Sequence, residues 1–139
     1  MTIAAILLTL QAVLPQASAA PAAQAPVPAM LAPPQDWSRL PPLMLRRPVA
    51  QAPEAAAYVA SEIAAGRCTW TGTMLTVDFA VLASPAGQVK RIVPRAIGCP
   101  TVEQYAAGIL LSMARSNIDT GSAGGEGWYR TTLSFTWGP

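Results

Sequence analysis

Proline and glycine are divided between two parts of this 139-residue chain. Ten of the 14 prolines lie at or before Pro53, whereas all ten glycines lie at or after Gly66. Proline-rich sequence without glycine is typical of a stiff, extended segment. The turn and strand signals all fall in the later part. We therefore predict one folded domain over residues 53–139, preceded by a proline-rich disordered leader or arm over residues 20–52.

Residues 1–19 have the organisation of an export signal. The apolar stretch Ile3–Leu14 matches the length of a signal-peptide core, and Pro15 ends it. Small residues at Ala17 and Ala19 suit a signal peptidase. The alternative is an uncleaved anchor, but twelve helical residues span only about 18 Å of a hydrocarbon core of about 30 Å. We predict cleavage after Ala19 and a periplasmic mature protein.

Cys68 and Cys99 are the only two cysteines. An even number of cysteines in a small exported chain favours a disulfide bond. Such a bond would close a loop of about 32 residues, worth roughly 3–4 kcal/mol in the chain-entropy model. The alternative is two unrelated buried thiols. A metal site is not expected, because the chain has no histidine to complete four ligands.

Composition and charge argue against several functions. A net charge of +2 is too small to predict nucleic-acid binding. The absence of histidine excludes triads of the Ser-His-Asp or Cys-His type. The glycine-rich loop from Thr120 to Gly127 lacks the lysine of a phosphate-binding loop. We expect a binding protein without cofactor or metal rather than an enzyme, with a small secreted enzyme or inhibitor as the alternative.

Hydrophobic periodicity predicts an α+β fold. Apolar spacing indicates helices, and strict alternation indicates strands joined by a Ser-Pro-Ala-Gly turn. We expect a β-β-α-β core preceded by a short helix, with a small antiparallel sheet, formed by the hairpin and the final strand, and a helix packed on one face. The predicted elements are a helix at residues 53–66, strands at 73–83 and 89–95, a helix at 101–117 that opens on a Thr101–Gln104 capping box, and a final strand at 128–137.

Large apolar residues reappear within the leader, from Trp37 to Leu45. They differ from the alanine and proline that surround them, and they lack helical or strand periodicity. Two interpretations remain open. The segment either docks on the domain as an extended arm or forms a motif for a partner.

The core segment, from GTMLTVDFAVLASPAGQVKRIV to the helix PTVEQYAAGIL, resembles the C-terminal domain of TonB energy transducers. That family combines a G-x-x-x-V-x-F-x-V strand, a turn ending in glycine, a valine-rich strand and an amphipathic helix, and GWYRTTLSFTW is similar to its final strand. The resemblance covers residues 72–137. The positions that carry it are Gly72, Val77, Phe79, Val81, Gly87, Val89 and Gly98.

The resemblance implies a protein-binding function in the cell envelope. Members of the family grip an extended segment of outer-membrane receptors by strand addition at a sheet edge. Cleavage after Ala19 would remove the anchor that their transducers use, and would leave a domain that binds without pulling. An edge covered by the chain's own arm, with no peptide partner, is the alternative. The contact residues that the resemblance implies are Tyr129, Arg130, Thr131 and Thr132.

Overall fold

The computed structural model describes residues 32–121 and 126–138. The predicted signal peptide, the leader up to residue 31 and part of the glycine-rich loop lie outside these ranges. Within them, no helix is long and apolar enough to cross a membrane. The elements in chain order are β1 (Met44–Leu45), α1 (Pro53–Ala64), β2 (Met74–Ala83), β3 (Val89–Pro94), α2 (Pro100–Ala114), β4 (Ile118–Asp119) and β5 (Gly127–Thr136).

A three-stranded antiparallel sheet forms the centre of the domain, in the order β3-β2-β5. All ten residues of β2 pair with β5, from Met74 opposite Thr136 to Ala83 opposite Gly127. The alternation of β2 buries one face against the helices, as its sequence predicts. The α+β fold with a β-β-α-β core behind a short helix is therefore confirmed. The β2 side chains on the buried face are Leu75, Val77, Phe79 and Val81.

Both helices begin with proline in the first turn, where a missing N–H costs no helical hydrogen bond. The predicted Thr101–Gln104 capping box is wrong. Because Pro100 already occupies the first turn, the N-cap of α2 is Cys99, which makes no side-chain capping bond. The Glu103 carboxylate instead accepts the N–H of Cys99 at 3.2 Å. The apolar face of α2 is buried as expected, through Val102, Ala106, Leu110 and Ala114.

The end of α1 and the start of α2 are held together by a covalent and polar cluster that we call the clamp. The disulfide joins Cys68 to Cys99, as predicted. Beside it, the Glu62 carboxylate accepts the Thr101 hydroxyl at 2.7 Å and Nε of Arg67 at 2.9 Å. The pKa of Glu62 lies below its ordinary value, mainly because of the hydrogen bond from the Thr101 hydroxyl and secondly because of the one from Arg67. The sequence analysis assigned no role to Glu62.

Residues 32–43, which we call the arm, lie along the sheet instead of being separate from it. Leu43 packs partly buried against the core. The chain then continues into β1, which pairs antiparallel with β4. The folded unit therefore includes residues N-terminal to Pro53, and docking is the interpretation of the Trp37–Leu45 segment that the structure supports.

Asn117 and Gly87 fix the region where β1 meets β4. Asn117 is buried, and its side chain accepts the N–H of Arg47 and donates to the Arg47 carbonyl, at 3.0 and 2.9 Å. Gly87 closes the β2–β3 turn with φ of +78°, and a Cβ there would lie 2.6 Å from the Ile118 carbonyl oxygen. Glycine is therefore required at this turn both by its conformation and by the close approach of β4.

Candidate strand-docking edge

The outer edge of β5 is defined by the direction of its backbone groups. In an antiparallel pair, successive residues point their N–H and C=O alternately toward the neighbouring strand and away from it. The Arg130 N–H donates to the Pro41 carbonyl at 2.9 Å, and the Arg130 carbonyl accepts the Leu43 N–H at 2.7 Å. Arg130 therefore points away from β2. The same parity directs the N–H groups of Thr132 and Ser134 outward, and directs that of Thr131 toward β2.

The opposite edge of the sheet, formed by β3, is poorly suited to pairing. The Arg95 N–H donates to the Asp78 carbonyl at 2.8 Å, so alternation directs Ile92 and Pro94 outward. Pro94 has no N–H to offer, and the register of β2 with β3 shifts beside Lys90. Proline, lysine and a bulge are the features that natural edge strands use to prevent pairing. The β5 edge has none of them between Thr131 and Thr136.

In the described ranges, the arm pairs with the β5 edge at Arg130. Pro42 forms a single parallel bridge with Arg130. After Leu43 the chain leaves this edge, because Met44 pairs with Asp119 of β4. The outward backbone groups of Thr132 and Ser134 have no backbone partner in the part of the chain that the structure describes.

A cleft of about 400 Å³ opens where the arm crosses the sheet. The polar contacts in this cleft are exposed to solvent. The Thr132 hydroxyl donates to Asp78 Oδ1 at 2.7 Å, and Arg95 Nε lies 3.8 Å from Asp78 Oδ2. The Arg95 guanidinium also stacks on the Trp37 ring, 4.4 Å from the ring centroid. The cleft therefore joins the arm to the outward face of the sheet by contacts that solvent reaches.

The arm is shaped locally around Trp37. The Asp36 carboxylate accepts both the hydroxyl and the N–H of Ser38, at 2.6 and 2.9 Å. The Ser38 hydroxyl is the main reason that the pKa of Asp36 lies below its ordinary value. Two residues further along, the Leu40 carbonyl accepts Nε of Arg130 at 3.0 Å. Both contacts therefore involve residues close in sequence to Trp37, whose ring stacks on Arg95.

The structure places the four sequence-predicted contact residues in different settings. Tyr129 is buried on the core face, and the outward N–H of Arg130 is already bonded to the arm. Thr131 is half-buried and belongs to the β2–β5 ladder, whereas Thr132 is exposed and points outward. Ser134 shares the setting of Thr132 and was missed. Its alternation with Leu133 and Phe135 is the sequence signal that could have found it.

Nothing in the described ranges adds a metal centre to this edge. No group of three or more histidine, cysteine, aspartate or glutamate side chains lies close enough there to hold a metal ion. Comparisons of the chain with protein-family models, with curated proteins and with solved structures give no match.

Proposed function

We propose that this protein is an exported, periplasmic protein-binding domain of the TonB C-terminal type. It binds an extended segment of a partner by strand addition along the outer edge of β5. The partner we favour is a segment of an outer-membrane receptor, as the sequence resemblance implies. Main-chain hydrogen bonds supply the affinity in this mode of binding, and side chains adjust specificity.

The observation that carries the proposal is the difference between the two sheet edges. One edge ends in Pro94 and a register shift, whereas β5 is ten residues long and pairs with β2 in unbroken register. From Thr132 onward, alternate residues of β5 direct backbone groups away from the sheet. An extended chain of five residues, spanning Thr132–Thr136, matches the part of the edge that the arm leaves open.

Two further features support the proposal. The order of the core elements, hairpin, helix and final strand, agrees with the order that the resemblance implies. The disulfide agrees with an oxidising compartment, which is where an exported protein would meet outer-membrane receptors.

Proline substitution at Thr132 tests the proposal. Thr132→Pro removes an outward N–H and leaves the β2–β5 ladder intact, because proline is tolerated at strand edges. We expect it to abolish binding of peptides copied from extended segments of outer-membrane receptors, measured by fluorescence anisotropy. Thr132→Val is the matched control. It keeps the N–H, loses only the hydrogen bond to Asp78, and should bind within about twofold of the parent.

Thr131→Pro completes the set. Its N–H points toward β2, so this variant should lose stability rather than peptide contacts. Circular dichroism on each variant establishes that it is folded. Peptides with N-methylated backbones give an independent test that requires no protein variant, since they retain the side chains and lose main-chain donors. Equal binding of Thr132→Pro and the parent, together with undiminished binding of N-methylated peptide, would refute strand addition.

A further inference from the structure

We infer that residues 37–42 of the arm are a displaceable cover over the docking edge at Arg130, and that a long partner strand must remove this cover to pair there. The inference rests on the proposed function and concerns how the same edge is regulated. The arm bridge at Pro42 already shows the pairing that a partner strand would make, and it occupies the position that the partner would need.

The attachment of the arm is asymmetric about Leu43. On the C-terminal side, β1 pairs with β4, and the N–H groups of Arg46 and Arg47 donate to Asn117 at 2.7 and 3.0 Å. Because Asn117 is buried, this anchor is protected from solvent. Leu43 is therefore the natural point at which the arm can separate while β1 stays in place.

On the N-terminal side of Leu43, the backbone bonds between the described arm and β5 are at Arg130, and the arm side chains Trp37 and Leu40 are only half-buried. Pro41 and Pro42 carry no N–H, so neither can donate a further hydrogen bond to the strand. Among the described residues, the contacts of the arm include the pair of backbone bonds at Arg130, the Leu40 carbonyl bond, the stacking of Trp37 on Arg95, and an apolar groove that Leu40 shares with Leu82. Those made by the exposed Arg95 and Arg130 side chains add little stability. A partner strand that makes more backbone bonds than the arm makes can therefore replace it.

Displacement has a consequence for affinity that depends on the length of the partner. A protein that binds only after opening shows an apparent affinity reduced by the fraction that is open. The apparent affinity is reduced in this way for a partner that reaches Arg130, but not for a partner that pairs only with Thr132–Thr136. Weakening the arm should therefore tighten binding of long strands and leave binding of short strands unchanged.

The experiment uses the full chain with two synthetic probes of alternating threonine and valine, one of five residues and one of nine. The arm is weakened by Trp37→Ala, with Trp37→Phe as the matched control that keeps a ring over Arg95. We expect Trp37→Ala to bind the nine-residue probe about two- to fivefold more tightly, the range of an exposed cation–π contact. Binding of the five-residue probe should not change. Trp37→Phe should bind both probes as the parent does.

Hydrogen exchange at the Arg130 amide reports opening of the arm without any probe, because this N–H bonds directly to Pro41. We expect it to exchange about two- to fivefold faster in Trp37→Ala. If probes bind and Thr132→Pro abolishes binding, but neither the affinity nor the Arg130 exchange changes in Trp37→Ala, the cover is refuted and the proposed function stands. If no probe binds the parent or Trp37→Ala, the proposed function fails, and unchanged Arg130 exchange then refutes the cover separately.

Discussion

The clamp and the arm both tie an N-terminal element to the sheet domain, and they do so with very different contacts. The clamp joins α1 to α2 through the Cys68–Cys99 disulfide and the Glu62 carboxylate, whose residue is 5% exposed. The arm meets β5 through a bridge at Arg130, and it meets the end of β3 through Arg95, whose side chain is 52% exposed. The clamp is therefore covalent and buried, whereas the arm meets the edge proposed to bind through hydrogen bonds at Arg130 and leaves Thr132–Thr136 open.

The difference suggests how a small domain can remain stable while one sheet edge stays available for pairing. A sheet edge with free N–H and C=O groups invites pairing with other chains. A covalent bond near the helices stabilises the fold without using any part of β5. The edge can then exchange its cover without unfolding the domain, because the two regions share no hydrogen bond in the described residues.

The largest expected effect comes from breaking the clamp. A disulfide stabilises mainly by restricting the unfolded chain, and closing a loop of this length is worth roughly 3–4 kcal/mol. The double variant Cys68→Ala/Cys99→Ala should therefore lose about that much free energy of unfolding, measured by urea denaturation. Retention of full stability in this variant would show that the clamp is not the main anchor.

Glu62→Gln should have a smaller effect, which depends on pH. The pKa of Glu62 is lower in the fold than in the unfolded chain, so its charge stabilises the fold above the ordinary glutamate pKa. This contribution is lost as the pH falls through the depressed pKa. We expect Glu62→Gln to be less stable than the parent at neutral pH and equally stable in acid. Glu54→Gln, on the exposed first turn of the same helix, is the control, and it should show only the smaller loss expected for an exposed charge at a helix N-terminus.

The smallest effect on stability is expected for the arm. Trp37→Ala removes a half-buried ring and its cation–π contact with the exposed Arg95, and the contact is worth about 0.5–1 kcal/mol. Its unfolding midpoint in urea should therefore lie close to that of the parent and well above that of the cysteine variant. A loss as large as that of the clamp would mean that the arm is part of the core, and the contrast between the two regions would disappear.

Sequence patterns predicted the sheet and helices well because their signals are local. The alternation in β2 and the proline at the start of each helix need no knowledge of the rest of the chain. The position of the arm could not be predicted, because it depends on which edge of β5 is left free after β2 pairs. The burial of Leu82, on the face away from the helices, has the same origin, since it shares a groove with Leu40 of the arm.

The predicted contact residues show that sequence patterns also cannot predict the direction of individual backbone N–H groups. Sequence identified the final strand, yet it gave no reason to separate Thr131 from Thr132. That distinction depends on which alternate residues of β5 point their N–H groups toward β2, and the bonds between Arg130 and the arm establish this. The capping box at Thr101 was wrong because the pattern ignored Pro100, and the hydroxyl serves the clamp instead.

Amide hydrogen exchange along both sheet edges, with and without saturating peptide, tests the central claim most directly. The account predicts fast exchange at Thr132 and Ser134 in the free protein, and slowing by at least tenfold when a receptor-derived peptide is bound. Ile92, on the β3 edge, should exchange at the same rate in both states. Slowing at Ile92, or unchanged exchange at Thr132 and Ser134 with peptide bound, would contradict strand addition at β5.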